Sequence, residues 1–202
     1  MNQYEKNIYS QNGEDGVIEE IIQRLEMNPG VCCEFGAWNG WNLSNTFNLV
    51  KYKNWKAVYI EGDDDKYNEL MATCQSMPSI IPVHAMVEPY GEKSLASLLK
   101  SVDCNHIDIL SIDVDGTDYY IWEEFTEYQP AIVIIEISSG MGADTEYVNP
   151  TYGSSFASML SLGNQKGYDL VCHTGNMIFV RKDLTQGKFE NINSKTLFKN
   201  EI

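Results

Sequence analysis

Five short apolar runs, each followed by a segment with helical spacing, most tightly limit what this chain can become. The strands read over residues 31–35, 56–61, 79–83, 107–112 and 131–137. The helices between and after them read over 42–53, 66–76, 93–101, 117–125 and 154–166. A further amphipathic helix over 12–25 precedes them, with Val17, Ile18, Ile21, Ile22 and Leu25 on one face. Glu14 and Asp15 complement the positive end of its dipole, and Asn28-Pro29-Gly30 stops it. Residues 168–173 and 176–181 read as a closing hairpin about Thr174-Gly175. Strand–helix alternation requires a parallel sheet covered on both faces, and the hairpin adds one antiparallel strand. The most apolar run, AIVIIEI, belongs at the centre. No linker or repeat divides the 202 residues. One domain over 1–202 is expected, with an N-terminal helical flap at about 8–26, a loop excursion at 141–153 and a polar tail at about 184–202.

Charge limits the partners. With 29 acidic against 14 basic residues the net charge is −15, a field that repels nucleic-acid backbones and anionic membranes. A small-molecule substrate is the expected partner. No apolar run approaches the roughly 20 residues that span a bilayer. The N-terminus lacks the basic and apolar regions of a signal peptide, so a cytoplasmic location is expected. Cys32, Cys33, Cys74, Cys104 and Cys172 are scattered without metal-ligand spacing and read as reduced thiols.

In open α/β sheets ligands bind beyond the carboxyl ends of the strands, and polar residues stand at all five ends here. After the first strand, VCCEFGAWNGWNLS makes a tight corner with Gly36 and Gly40. Glu34 inside that corner repels phosphate and suits an amine or a sulfonium. Glu61 ends the second strand, where a carboxylate grips ribose hydroxyls. Ala85-Met86 offers an apolar surface for an adenine ring, and His84 beside it reads either as a base or as a structural residue. Asp113 and Glu136 become neighbours if the fourth and fifth strands pair, with Asp115 one turn beyond. Three such carboxylates repel one another unless a proton or a cation intervenes, and Mg²⁺ or Mn²⁺ accept oxygen ligands of this kind. The alternative is that Asp113 binds the ligand, Asp115 caps the following helix and Glu136 pairs elsewhere. Gln11 and Gly13-Glu14-Asp15 read as a flap over the cleft or as helix capping. Tyr152, Ser154, His173 and Asn176 are acceptor contacts by position.

The ordered set EFGAWNG, YIEGD, HAMV, IDILSIDVDGTD and AIVIIEI resembles the class I S-adenosylmethionine-dependent methyltransferases. Within them the chain is most similar to the FkbM-like group, through SQNGEDG (10–16), LSIDVDGTDYYIW (110–122) and NMIFVRKDL (176–184), a likeness covering about 8–184. The resemblance implies a Rossmann-like seven-stranded sheet of order 3-2-1-4-5-7-6 with strand 7 antiparallel. It places Glu34, Gly36 and Gly40 around the methionine part of S-adenosylmethionine, Glu61 on the ribose and Ala85-Met86 against adenine. Gln11, Ala37, Ser44, Gly62 and Asp113 complete the expected cofactor contacts. Asp113, Asp115 and His84 are the expected catalytic residues. Asp113 and Glu136 match the places where catechol-type relatives hold a metal, with Asp115 as a third candidate ligand, although no lysine follows Asp113 to act as base. The implied activity is O-methylation of a sugar, phosphorylated or nucleotide-linked precursor of a bacterial surface polysaccharide (capsule) or natural product. Two alternatives stay open: a cofactor-binding, non-catalytic partner of another methyltransferase, and a dinucleotide-dependent oxidoreductase. GAWNG lacks the third glycine that the latter wants. A homodimer or a partner enzyme is compatible with either.

Overall fold

A computed structural model describes residues 1–189 and 194–199. Its main sheet contains β1 (Val31–Phe35), β2 (Lys56–Glu61), β3 (Ile80–His84), β4 (Ile109–Ile112) and β5 (Ile132–Glu136), followed by β8 (Tyr168–His173) and β9 (Asn176–Arg181). Between β5 and β8 lies a short separate hairpin of β6 (Val148–Asn149) and β7 (Gly153–Ser154). The seven strands run in the order β3-β2-β1-β4-β5-β9-β8. β1 to β5 are mutually parallel, and β9 is antiparallel to both β5 and β8. With the small hairpin set aside, this is the expected 3-2-1-4-5-7-6 sheet.

The period of two along a strand divides the core. From β5, Val133 and Ile135 join one apolar cluster with Phe35, Ile112, Trp122 and Phe179. Ile132 and Ile134 join the other, with Ile18, Phe47, Trp55 and Tyr59. The helices are α1 (Glu14–Leu25), α2 (Phe47–Tyr52), α3 (Asp64–Ser76), α4 (Leu95–Ser101), α5 (Asp118–Glu124), α6 (Phe156–Gln165) and α7 (Lys182–Thr185). Among the described residues none is long and apolar enough to cross a membrane, and all five cysteines are free thiols.

Three departures from the expected elements have local causes. α2 starts at Phe47 instead of 42, because Leu43 takes a left-handed φ of 58° and Ser44 and Thr46 turn back to bond Glu34. The 141–153 excursion carries the β6–β7 hairpin. α6 therefore starts at Phe156, with Ser155 as its cap. In the tail, Phe198 packs on Phe156 and His173, and the Lys199 amide donates to His173 Nδ1 at 2.9 Å. Residues 190–193 and 200–202 of the expected tail lie outside the described residues.

Candidate active site at the carboxyl edge of the sheet

Parallel pairing brings the ends of β3, β2, β1, β4 and β5 to one edge. Glu61 stands opposite His84, Phe35 opposite both Ile60 and Ile112, and Ile112 opposite Ile135. The β1 corner packs hard against the β4 corner. At Gly36, with φ 73°, a Cβ would lie 1.8 Å from the Asp113 carbonyl oxygen, so a side chain has no room there. Ala37, 2 % exposed, donates its amide to Ile60 O, and the Gly40 amide donates to Ala37 O.

Glu34 is buried, and three donors meet its Oε2: Ser44 Oγ at 3.0 Å, the Thr46 amide at 3.0 Å and Thr46 Oγ1 at 2.7 Å. None of the three goes to Oε1. Burial pushes its pKa up to about 7 against the lowering effect of these bonds, and Asp113 adds to the rise. Glu61 is also buried, and accepts the amides of Trp38 on Oε2 (2.8 Å) and Asp63 on Oε1 (2.9 Å). Trp38 and Trp41 remain partly exposed on the corner, with Lys66 Nζ 5.2 Å from the Trp38 ring. Ala85 donates its amide to Glu61 O. Met86 is largely exposed, and its sulfur would lie 2.9 Å from a Cβ at Gly62. His84 stacks on Tyr67 (4.3 Å between centroids) and pairs with Asp64 at 3.2 Å. The fold does not bring it into the carboxylate group described next.

Asp113, Asp115 and Glu136 offer carboxylate oxygens that all lie within 4.8 Å of one another. Asp113 opens to the cleft, yet the surrounding walls and the charge of Asp118 push its pKa up to about 6, against a hydrogen bond from Glu136. Burial and the neighbouring Asp113 push Glu136 up to about 8. Both carboxyls are thus held above the ordinary carboxylate range by burial and by neighbouring carboxylate charge. Asp115 sits at a left-handed φ of 56°. Asp118, which sequence reasoning missed, fixes this turn: its carboxylate accepts the amides of Val114 (3.0 Å) and Gly116 (2.9 Å). The signal was available, since an acid two residues after a turn glycine at a helix start commonly bonds nearby backbone amides. Beside the group lies a cavity of about 380 Å³ between the end of β5 and the 151–153 turn, reached by Asp115, Glu136, Ser139 and Tyr152.

The N-terminal segment reaches the same edge. Glu14 accepts Thr174 Oγ1 (2.7 Å) and Asn176 Nδ2 (3.3 Å), and it is near enough to raise the Asp113 pKa. Asp15 Oδ2 gathers the amides of Ile8, Tyr9 and Ser10. Both acids thus act as ties within the fold, and Gln11, ahead of them in the chain, is exposed. Of the four expected acceptor contacts, Tyr152 lines the cavity and is 70 % exposed. Ser154, His173 and Asn176 are buried. Burial also drives His173 down to about 4, and its Nδ1 is taken by the tail.

This sheet order, with an antiparallel strand inserted beside β5, is the Rossmann-like methyltransferase fold. No family model matches the chain, and no curated protein matches it. Solved structures do. The N-terminal domain of EvdMO1 with SAH bound is similar over 86 % of this chain and 80 % of that one, at 10 % identity and TM-score 0.55. A putative caffeoyl-CoA O-methyltransferase from Staphylococcus aureus is similar over 81 % and 79 %, at 11 % identity and TM-score 0.52. An S-adenosylmethionine-dependent methyltransferase from Clostridium acetobutylicum ATCC 824 is similar over 82 % and 88 %, at 9 % identity and TM-score 0.52. At such identities the likeness is one of fold.

Proposed function

We propose that this chain is an S-adenosylmethionine-dependent O-methyltransferase of the FkbM-like kind, acting on a hydroxyl of a sugar-type precursor. One observation carries the reading: in a sheet of methyltransferase order, the carboxylates of Asp113 and Glu136 meet beside the glycine corner and a small-molecule-sized cavity. The cofactor side fits its ligand. Gly36 lets backbone approach backbone, Glu61 keeps lone pairs free beyond its two amide bonds, and Met86 offers an exposed apolar surface. Glu34 serves as the floor of the corner, and Ser44 and Thr46 hold it in place.

Bound S-adenosylmethionine supplies an electrophilic methyl group on a sulfonium. Asp113, ionised above pH of about 6, accepts the proton of the acceptor hydroxyl. The acceptor oxygen forms its new bond to carbon as the sulfur–carbon bond breaks, and the proton stays on the carboxyl pair. The fold's main contribution is to orient two reactants. His84, engaged with Tyr67 and Asp64, is not assigned a role. The donor set also fits a hard divalent cation. Asp113, Asp115 and Glu136 would hold it, and it would act as a Lewis acid toward the acceptor oxygen.

Titration calorimetry with S-adenosylhomocysteine and with NAD tests the reading directly. Binding of the first and not the second is expected. The reverse result makes the chain a dinucleotide protein and removes the proposal.

A further inference from the structure

Among the described residues, six other than glycine take a left-handed backbone, and two of these, Trp38 (φ 46°) and Leu43 (φ 58°), are bulky and apolar. Both stand in the β1 corner. Glycine is the default residue at such a φ, and a large side chain there costs energy that its surroundings must offset. The corner supplies that hold. Thr73 Oγ1 donates to Asn39 O at 2.7 Å, and Asn39 Oδ1 accepts the amides of Trp41 and Asn42. Gly40 packs so closely on Leu70 that a Cβ would come within 2.7 Å of it. Backbone strain over-determined in this way gathers at ligand clamps. The strained Trp38 is not a core residue: it is 38 % exposed.

Its neighbours set the ring beside Glu61. The Trp38 amide donates to Glu61 Oε2 at 2.8 Å, and the Asp63 amide donates to Oε1 at 2.9 Å. Asp63 caps α3, and Lys66 in the first turn of that helix has its Nζ 5.2 Å from the Trp38 ring centroid. The ring therefore joins the two segments, the β1 corner and the start of α3, that hold the two oxygens of Glu61. Met86 packs on Gly62, the next residue along, where a Cβ would lie 2.9 Å from its sulfur.

We infer that Trp38 is a binding residue for the nucleoside of the cofactor, its ring packing against the sugar and base that Glu61 and Met86 receive. The inference rests on the methyltransferase reading of that site. A nucleoside matches the corner part by part. Its diol donates to the lone pairs Glu61 keeps, and its flat base packs on an aromatic ring and a thioether. A side chain retained only for the turn has no need to be large. Glycine would satisfy the φ and keep the amide on Glu61.

The test is calorimetric titration of the whole chain with S-adenosylhomocysteine and with adenosine, before and after Trp38→Gly. The variant is expected to lose about tenfold in affinity for both ligands alike, the scale of one base–aromatic stack. Trp38→Phe, which keeps a ring, is expected to recover most of the loss. A ring that only packs would give folded Trp38→Gly a lower melting temperature with both affinities unchanged, and that result overturns the inference. So does a loss for S-adenosylhomocysteine alone, a Trp38→Phe as weak as Trp38→Gly, or a failure of adenosine to bind the unaltered chain. Fluorescence gives a second reading that does not need the glycine variant to fold. Trp55 and Trp122 are buried, so the emission change on adding S-adenosylhomocysteine is expected to persist in Trp41→Phe and to vanish in Trp38→Phe. A change that survives in Trp38→Phe, or none in the unaltered protein, overturns the inference. The two claims fail separately: an unaltered chain without affinity for S-adenosylhomocysteine removes the methyltransferase reading and this inference with it, whereas full affinity in Trp38→Gly removes this inference alone.

Discussion

Glu34 and Glu61, at the ends of β1 and β2, stand on the same sheet edge as Asp113 and Glu136, next to the ends of β4 and β5. The protein treats the two pairs in opposite ways. Glu34 receives three donors from the chain itself, and Glu61 receives two backbone amides. Asp113 and Glu136 have chiefly each other, with Asp115 and Asp118 adding like charge. Burial penalises the charge at Glu34, Asp113 and Glu136 alike, but internal hydrogen bonds oppose it at Glu34 and neighbouring carboxylates reinforce it at the other two. The first pair belongs to a finished frame. The second lacks a partner that a proton, a cation or a substrate has to provide, and that shortfall is what makes it suited to chemistry.

The two pairs are expected to fail differently when changed. The largest effect is expected for Asp113→Asn. Methyl transfer should fall by about 10²–10⁴-fold, the usual range for a lost general base, while affinity for S-adenosylhomocysteine and thermal stability hold or rise, since a repelling charge has gone. A parallel fall in affinity, read by calorimetry, would erase the distinction. Glu61→Ala should behave in the contrary way. Two amides lose their acceptor, so stability should drop by about 1–3 kcal/mol and cofactor affinity should fall with it. Glu61→Gln, which keeps an acceptor oxygen, should recover part of both. Urea unfolding that shows Glu61→Ala to be neutral would mean the β2 end is not part of a frame.

The parallel sheet was legible because strand–helix alternation puts the polar strand ends on one edge, whereas the order 3-2-1-4-5-7-6 was carried by the resemblance to class I methyltransferases and not by the alternation. The carboxylate group was legible on the condition that the fourth and fifth strands pair, and β4 does pair with β5. Side-chain bonds that cross the chain were not legible. Nothing in NLSNTF announces that Ser44 and Thr46 reach back to Glu34, which is why the helix begins at Phe47 and not at 42. His173 looked open beside its hairpin, but the tail covers it through Phe198 and Lys199. That contact joins residues far apart in sequence, and no local pattern encodes it.

A third test follows the two pairs through pH. Glu34, Asp113 and Glu136 titrate in the folded chain at about 7, 6 and 8, all above their ordinary values of 4.5, 3.8 and 4.5. Between the ordinary and the raised values the folded state holds protons that the unfolded state has released, so stability falls as pH rises. The contribution is complete below pH of about 4 and is lost as pH climbs through about 8, by about 1.4 kcal/mol per pH unit for each proton held. Urea unfolding at pH 5.5, 7 and 8.5 should show this decline. Glu136→Gln should flatten its upper part, and Glu34→Gln the part below pH of about 7. Mg²⁺ adds a sharper reading. If the carboxylate group holds a cation, millimolar Mg²⁺ raises stability most at pH 8.5, where Glu136 has lost its proton, and Glu136→Gln weakens that gain while Glu34→Gln leaves it intact. A stability curve that is flat across this range would mean that neither pair carries the burden of charge assigned to it.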